Sequence, residues 1–250
     1  MNTNEARLSE YARSTAYAED KALEYDAFRF SSEVGKTIHS VERGCLFRAL
    51  RRVPSGCKVL EIGCGTGRLL KEVSTRGYEV DGADASGPML TEAAAKFRTE
   101  NTAGHQPKFA LCEASNVPFE NDAYDFTYCI RLLNQTESPA YALTVVHEML
   151  RMTKPAGFCL VEFVNDYRPR LGMNRRPTTR LKPREVLAAA QGAGGVAVEW
   201  YGAFLFGMQA LYLAGDALAP VTARVDRTLA RVTPRLCSRV YLLARKRDGR

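Results

Sequence analysis

Residues 59–70 read VLEIGCGTGRLL, an apolar run that meets Gly63, Gly65 and Gly67 at alternate positions and continues into a helical pattern. Glycines between a strand and a helix let the backbone turn tightly and let a ligand approach with no Cβ in the way. Asp84 closes the next apolar run, seventeen residues beyond Gly67, where a carboxylate can accept both hydroxyls of a ribose. A glycine loop alone is a weak signal; the loop with this acid points to a nucleotide-like ligand. Nicotinamide proteins usually carry GxGxxG, whose third glycine packs helix on strand beneath a pyrophosphate. Here the spacing is GxGxG with Arg68 following, which separates the chain from that class.

With VDGADASGPML at 80–90, FALCEASNVPFENDAYDF at 109–126 and EMLRMTKPAGFCLVEFVN at 148–165 in the same order, the stretch 53–164 resembles the class I S-adenosylmethionine (SAM) methyltransferases with an E-[IV]-G-C-G-T-G first motif. The resemblance implies SAM lying across the C-terminal ends of strands one to four. By position, Gly63, Cys64, Gly65 and Gly67 would line its methionine part, with Glu61 fixing the loop and Asp84 taking the ribose hydroxyls. Ala85 and Met89 would lie against the adenine. Glu113 and Ala114 stand where the family usually has Asp-Ala, the acid there taking the adenine amino group; the extra methylene of Glu113 makes this contact a departure from the pattern. Ile130 and Arg131 fall where the family meets the cofactor's amino group and the substrate.

Methyl transfer from a sulfonium is an in-line displacement in which the protein mainly supplies alignment and exclusion of water. A hydroxyl acceptor benefits from a base within about 3 Å. The residues that could serve or contact an acceptor are Tyr17, Tyr25, His39, Arg131, His147 and Glu162, with Arg131, Tyr25 and His39 as the catalytic candidates. Each also has a structural reading: the tyrosines as packing of an N-terminal helix, His39 and His147 as helix-surface residues. Substrate contacts are expected from Tyr17, Tyr25, Arg131, Asn134 and Arg168. The run RLLNQ at 131–135 lacks the Asn/Asp-Pro-Pro-aromatic motif of enzymes that methylate DNA adenine or glutamine amides, and no Pro-Cys pair is present for attack on cytosine. A small-molecule acceptor follows. The loop 165–184 carries seven basic residues, Arg168, Arg170, Arg175 and Arg176 among them, and one acid, so an anionic or amphipathic acceptor is one expectation and a solvated loop the other.

These residues need a sheet to hold them. Apolar runs at 58–62, 78–83, 109–112, 124–130 and 158–164 alternate with helical patterns at 66–76, from 87, and at 140–152, the signature of βα units and a parallel sheet. A helix at 183–191 and strands at 196–201 and 239–244 complete seven strands, preceded by a helix at 34–52. The expected fold is α/β: a Rossmann-like seven-stranded, mostly parallel sheet with helices on both faces and, as the resemblance implies, a reversed last strand. The expected organisation is one structural domain, with an N-terminal helical lid at 1–52, a SAM-binding core at 53–201, a helical insertion at 202–237 and the last strand with a basic tail at 238–250.

The insertion is the second unusual element. Arg224, Arg227 and Arg231 recur at helical spacing opposite Val221, Val225 and Val232. A basic stripe beside an apolar surface suits peripheral contact with an anionic membrane through 203–235, or a lipid-like acceptor; a helical cap or a dimer contact is the plainer alternative. The apolar run at 203–221 is broken by Gln209, Asp216 and Pro220, against a membrane-spanning helix.

At 250 residues, 46% hydrophobic and 25% charged, the composition is that of an ordinary globule. Residues 221–250 hold nine basic and two acidic side chains, the whole +7 excess, so the other 220 residues balance at 26 of each sign. That excludes a globally basic nucleic-acid binder. Seven scattered cysteines without a CxxC pair and three dispersed histidines predict reduced thiols and no metal site. The charged N-terminal segment has no apolar core, so a cytoplasmic location is expected. Two alternatives stay open: an RNA or protein methyltransferase docking through the basic C-terminus, and a SAM-binding protein without catalysis.

Overall fold

A computed structural model describes residues 31–98, 105–168, 178–206 and 208–248. Tyr17 and Tyr25, with Arg170, Arg175 and Arg176, lie outside the described residues.

The elements follow the alternation expected from the sequence: α1 (Glu33–Leu50), β1 (Lys58–Ile62), α2 (Arg68–Ser74), β2 (Glu79–Asp84), α3 (Gly87–Arg98), β3 (Phe109–Leu111), β4 (Tyr124–Cys129), α4 (Pro139–Met152), β5 (Thr153–Val164), α5 (Pro183–Gly192), β6 (Gly195–Ala203), α6 (Met208–Val232) and β7 (Arg239–Lys246). All seven strands form one sheet in the order β3-β2-β1-β4-β5-β7-β6. Pairings from β3 to β5 are parallel. β7 is antiparallel to both β5 and β6, so it alone is reversed. The central strands read as continuous apolar runs because helices cover both faces. One face carries the core of α1, α2 and α6 around Leu46, Leu70, Tyr128 and Tyr241. The other carries α4 and α5 around Val146, Met149, Phe163 and Val186.

Local chemistry sets the helix starts. Ser32 caps α1 by accepting the Gly35 N–H, and Ser138 caps α4 by accepting the Tyr141 N–H, with Pro139 at the first turn where a missing N–H costs nothing. The helix expected over 66–76 is shorter, Arg68–Ser74, because Gly67 sits in the left-handed region (φ 70°) and still belongs to the loop. The strand expected from 158 begins at Thr153, which pairs with Tyr124 across a register shift that the apolar pattern does not reveal.

The insertion is helical, as expected, and turns small side chains inward. α6 is broken at Gly215 (φ 67°, ψ 175°), and the side that packs inward in its second half is Ala223, Asp226 and Ala230. The valines opposite the arginines are outside: Val221, Val225 and Val232 are exposed. Small side chains let α6 lie close to α1 and β6, which the valine-versus-arginine contrast conceals.

Candidate functional site

The carboxyl ends of β1, β2 and β4 converge on the glycine loop. Gly63 has φ 72°, and a Cβ there would stand 2.9 Å from Leu132 Cδ1, beyond the end of β4. Gly65 has φ 53°, and a Cβ there would meet nothing within 4 Å. The loop therefore closes tightly against β4 at Gly63 and opens onto free space at Gly65. It is stapled to β2, since Gly63 and Cys64 donate their N–H groups to Ala83 O at 2.7 and 3.1 Å. Cys64 is buried, with its Sγ where a Cβ on Gly82 would come within 2.9 Å. Burial pushes its thiol well above the ordinary range. It fills space and leaves its backbone to the loop.

Asp84 lies beside the loop. Its Oδ2 accepts the Gly65 N–H at 2.8 Å and its Oδ1 the Ser86 N–H at 2.9 Å. Burial raises its pKa in spite of those donors. The Ala85 N–H is a third backbone donor to this carboxylate, and with about four lone-pair sites in all it still has acceptor capacity for a ligand hydroxyl. Glu61, one strand over, is 3% exposed. It accepts Tyr128 OH at 2.9 Å and a backbone hydrogen bond from Leu70, tying β1 to β4 and to the start of α2. Burial holds its carboxyl well above the usual carboxylate range.

The other expected cofactor contacts are arranged around this centre. Ala85 and Ala114 are half-buried, Ile130 is buried at the end of β4, and Met89 is buried in the first turn of α3. Glu113 accepts Tyr141 OH at 2.7 Å, and burial pushes that phenol up to about 12.

Beyond β4 lies a chain of charge. Arg131 adopts φ 64°, a left-handed conformation costly for a residue with a side chain. Its N–H donates to Glu162 Oε2 at 2.7 Å. Glu162 Oε1 takes Arg239 Nη1 at 2.6 Å, and the same Nη1 reaches Asn134 Oδ1 at 3.3 Å. Arg131 Nη1 stands 3.5 Å from Glu42 Oε1, while Arg68 Nη2 reaches Glu42 Oε2 at 3.1 Å. A helix of the N-terminal segment is thus pinned to the loop helix α2 and to the end of β4 by one buried carboxylate. His39 lies beside it, with Nε2 2.7 Å from Glu72 Oε1 and Nδ1 against an Arg68 guanidinium nitrogen.

The structure brings together Glu61, Gly63, Cys64, Gly65, Asp84, Ile130 and Arg131, and places His147 on the exposed face of α4. Arg168 donates to Leu236 O at 3.2 Å, and Arg180 pairs with Asp166. Arg168 ties the loop to the turn before β7, and Arg180 serves the loop's own charges.

Sequence reasoning missed Glu42, Arg68, Tyr128, Tyr141 and Arg239. Two signals were available: a glutamate four residues after Ile38 on the apolar side of α1, and an arginine opening an otherwise apolar last strand.

Residues 59–157 match the model of the methyltransferase domain family. The O-methyltransferase rstn1 of Aspergillus nomiae is 25% identical over 53% of this chain and 53% of its own length. A ubiquinone biosynthesis O-methyltransferase of Aliivibrio fischeri is 30% identical over 44% of this chain and 45% of its own. The chain thus spans about half the length of these curated relatives. Among solved structures, the magnesium protoporphyrin IX methyltransferase of Synechocystis PCC 6803 with bound SAM superposes at TM-score 0.62, covering 98% of this chain and 100% of that one at 16% identity. At that identity the likeness is one of fold. The matches identify residues 59–157 as a methyltransferase domain.

Proposed function

We propose that this chain binds SAM at the glycine loop and transfers its methyl group to a hydroxyl of a small, amphipathic acceptor. The observation that carries the reading is the loop itself. Its backbone is held open at Gly65, where a Cβ would meet nothing within 4 Å, and closed at Gly63, while Asp84 secures the Gly65 N–H at 2.8 Å. A nucleoside with two vicinal hydroxyls suits Asp84, and Glu113 stands one strand further out, where an adenine amino group would need an acceptor. When bound, SAM supplies the electrophilic methyl carbon. Asp84 and Glu113 supply carboxylate acceptors on the side where a ligand with a sulfonium and an ammonium charge would lie.

The chain's own residues then position and dry the site. Glu61 fixes the turn of the loop through Tyr128 and Leu70. Glu42 carries α1 across the edge of the sheet by engaging Arg68 and Arg131, so the N-terminal helix acts as a lid. Glu162 holds Arg131 in its left-handed turn. Both His39 nitrogens and both Glu162 oxygens are engaged, which favours alignment over a dedicated general base as the source of rate. The hydroxyl acceptor is supported by the names of the two relatives, both O-methyltransferases.

The test is incubation of the chain with SAM and a panel of phenolic, catecholic, amine and carboxylate acceptors, read by mass spectrometry. The expected result is a product one methylene heavier in the hydroxylated class, with S-adenosylhomocysteine in equal amount. Methylation confined to amines or carbon, or to RNA or protein, would overturn the acceptor assignment.

A further inference from the structure

The second half of α6 and the turn after it expose Leu218, Val221, Val225, Leu229, Val232 and Leu236, none less than 41% exposed and Val232 80%. Their spacing of three and four residues sets them in one stripe along the helix. Phe206, just before the helix, is 55% exposed. These side chains are not α6's contribution to the core, since Ala223, Asp226 and Ala230 make that contact.

The charges beside the stripe have one sign. Arg224, Arg231 and Arg235 are exposed. Among the described side chains from 218 to 236 the sole carboxylate is Asp226, which is buried and accepts the Phe206 N–H at 3.1 Å. The outer surface is therefore apolar and cationic, with no described acid to neutralise it. We propose that this surface docks on an anionic phospholipid bilayer, its leucines and valines entering the headgroup boundary and its arginines meeting the lipid phosphates. A second copy of the chain could cover the apolar stripe, but it would add arginines and no exposed carboxylate from this segment. No helix among the described residues is long and apolar enough to cross a membrane, so α6 lies on the surface.

Topology gives the docking a purpose. α6 follows Ala203, which pairs with Arg239 at the start of β7, and Arg239 pairs with Val164 at the end of β5. That is the sheet edge that bears the glycine loop and Arg131. A bilayer under α6 would stand beside the mouth of the site, where an amphiphilic acceptor could enter from the lipid. The substrate part rests on the proposed function; the docking does not.

Sedimentation of the full chain with vesicles tests it. Vesicles of phosphatidylcholine containing about 30% phosphatidylglycerol should bind it at least about tenfold more tightly than phosphatidylcholine alone, and binding should weaken as salt rises from about 50 to 300 mM. A Val225→Glu/Leu229→Glu variant should lose vesicle binding while keeping its affinity for S-adenosylhomocysteine, which shows that it is folded. Arg224→Gln/Arg231→Gln should lose the preference for anionic vesicles. Equal binding to both vesicles, or undiminished binding of the glutamate variant, would overturn the proposal. So would a dimer by light scattering that the glutamate variant splits, with no vesicle binding by the parent chain. Vesicle binding without methyl transfer would instead count against the proposed function alone.

Discussion

Glu162 on β5 and Arg239 on β7 meet at 2.6 Å through Oε1 and Nη1, and the second oxygen of the same carboxylate holds the Arg131 N–H at 2.7 Å. The antiparallel register makes this possible, because it pairs Glu162 with Tyr241 and so sets Arg239, two residues earlier, diagonally across on the same face. One buried carboxylate joins the reversed strand to the strained turn after β4.

Removing one member of this pair leaves the other charged and buried. Glu162→Gln and Arg239→Met should each lower unfolding free energy by about 3 kcal/mol, and the double variant should lose at least about 2 kcal/mol less than the sum. Urea unfolding of the four proteins measures the cycle. Strict additivity would show that the two residues do not act as a pair.

The glycine loop separates strain from ligand contact. Gly63→Ala meets both a left-handed φ of 72° and Leu132 at 2.9 Å, and should cost at least about 2 kcal/mol of stability. Gly65→Ala meets only its φ of 53° and should cost about 1 kcal/mol. Its affinity for SAM, read by calorimetry, should nonetheless fall at least about tenfold, since its methyl enters the space assigned to the ligand.

Much of this was legible in the sequence because it is local. The strand, three glycines, helix and following acid lie within 59–84, and periodicity alone placed all seven strands. The charge chain was not legible, because its contacts are made by tertiary register. Arg239 lies 77 residues from Glu162, and Glu42 lies 89 residues before Arg131. Nothing local in RVYLLARK at 239–246 indicates which strand it will pair with. The inward face of α6 was hidden for a related reason. Alanine is an ambiguous marker of burial, and Ala223 and Ala230 turn inward where the larger valines do not.

The raised carboxyl of Glu61 has a pH signature. Burial lifts its pKa well above 4.5, so the folded chain keeps a proton that the unfolded chain has released. Stability is then fullest at low pH and falls as pH rises through the window above 4.5. Glu61→Gln should flatten the decline in unfolding free energy between about pH 5 and pH 8. Asp84, raised in the same direction, supplies the slope that remains. An unchanged decline in the variant would place the proton elsewhere.

His39 tests the alignment account. With one ring nitrogen 2.7 Å from Glu72 and the other against Arg68, it positions α1 over α2. His39→Gln should raise KM for SAM by about threefold to tenfold, while the pH dependence of kcat keeps its shape. Loss of an ionisation from the kcat profile would make His39 a base.

The central claim is that the loop and Asp84 form a SAM site, and ligand-dependent melting tests it most directly. At about one hundred times Kd, S-adenosylhomocysteine should stabilise the chain by about 2.7 kcal/mol, raising Tm by several degrees. NAD should leave Tm unchanged, and Asp84→Asn should abolish most of the shift. A shift with NAD but not with S-adenosylhomocysteine, or a full shift in Asp84→Asn, would contradict the account.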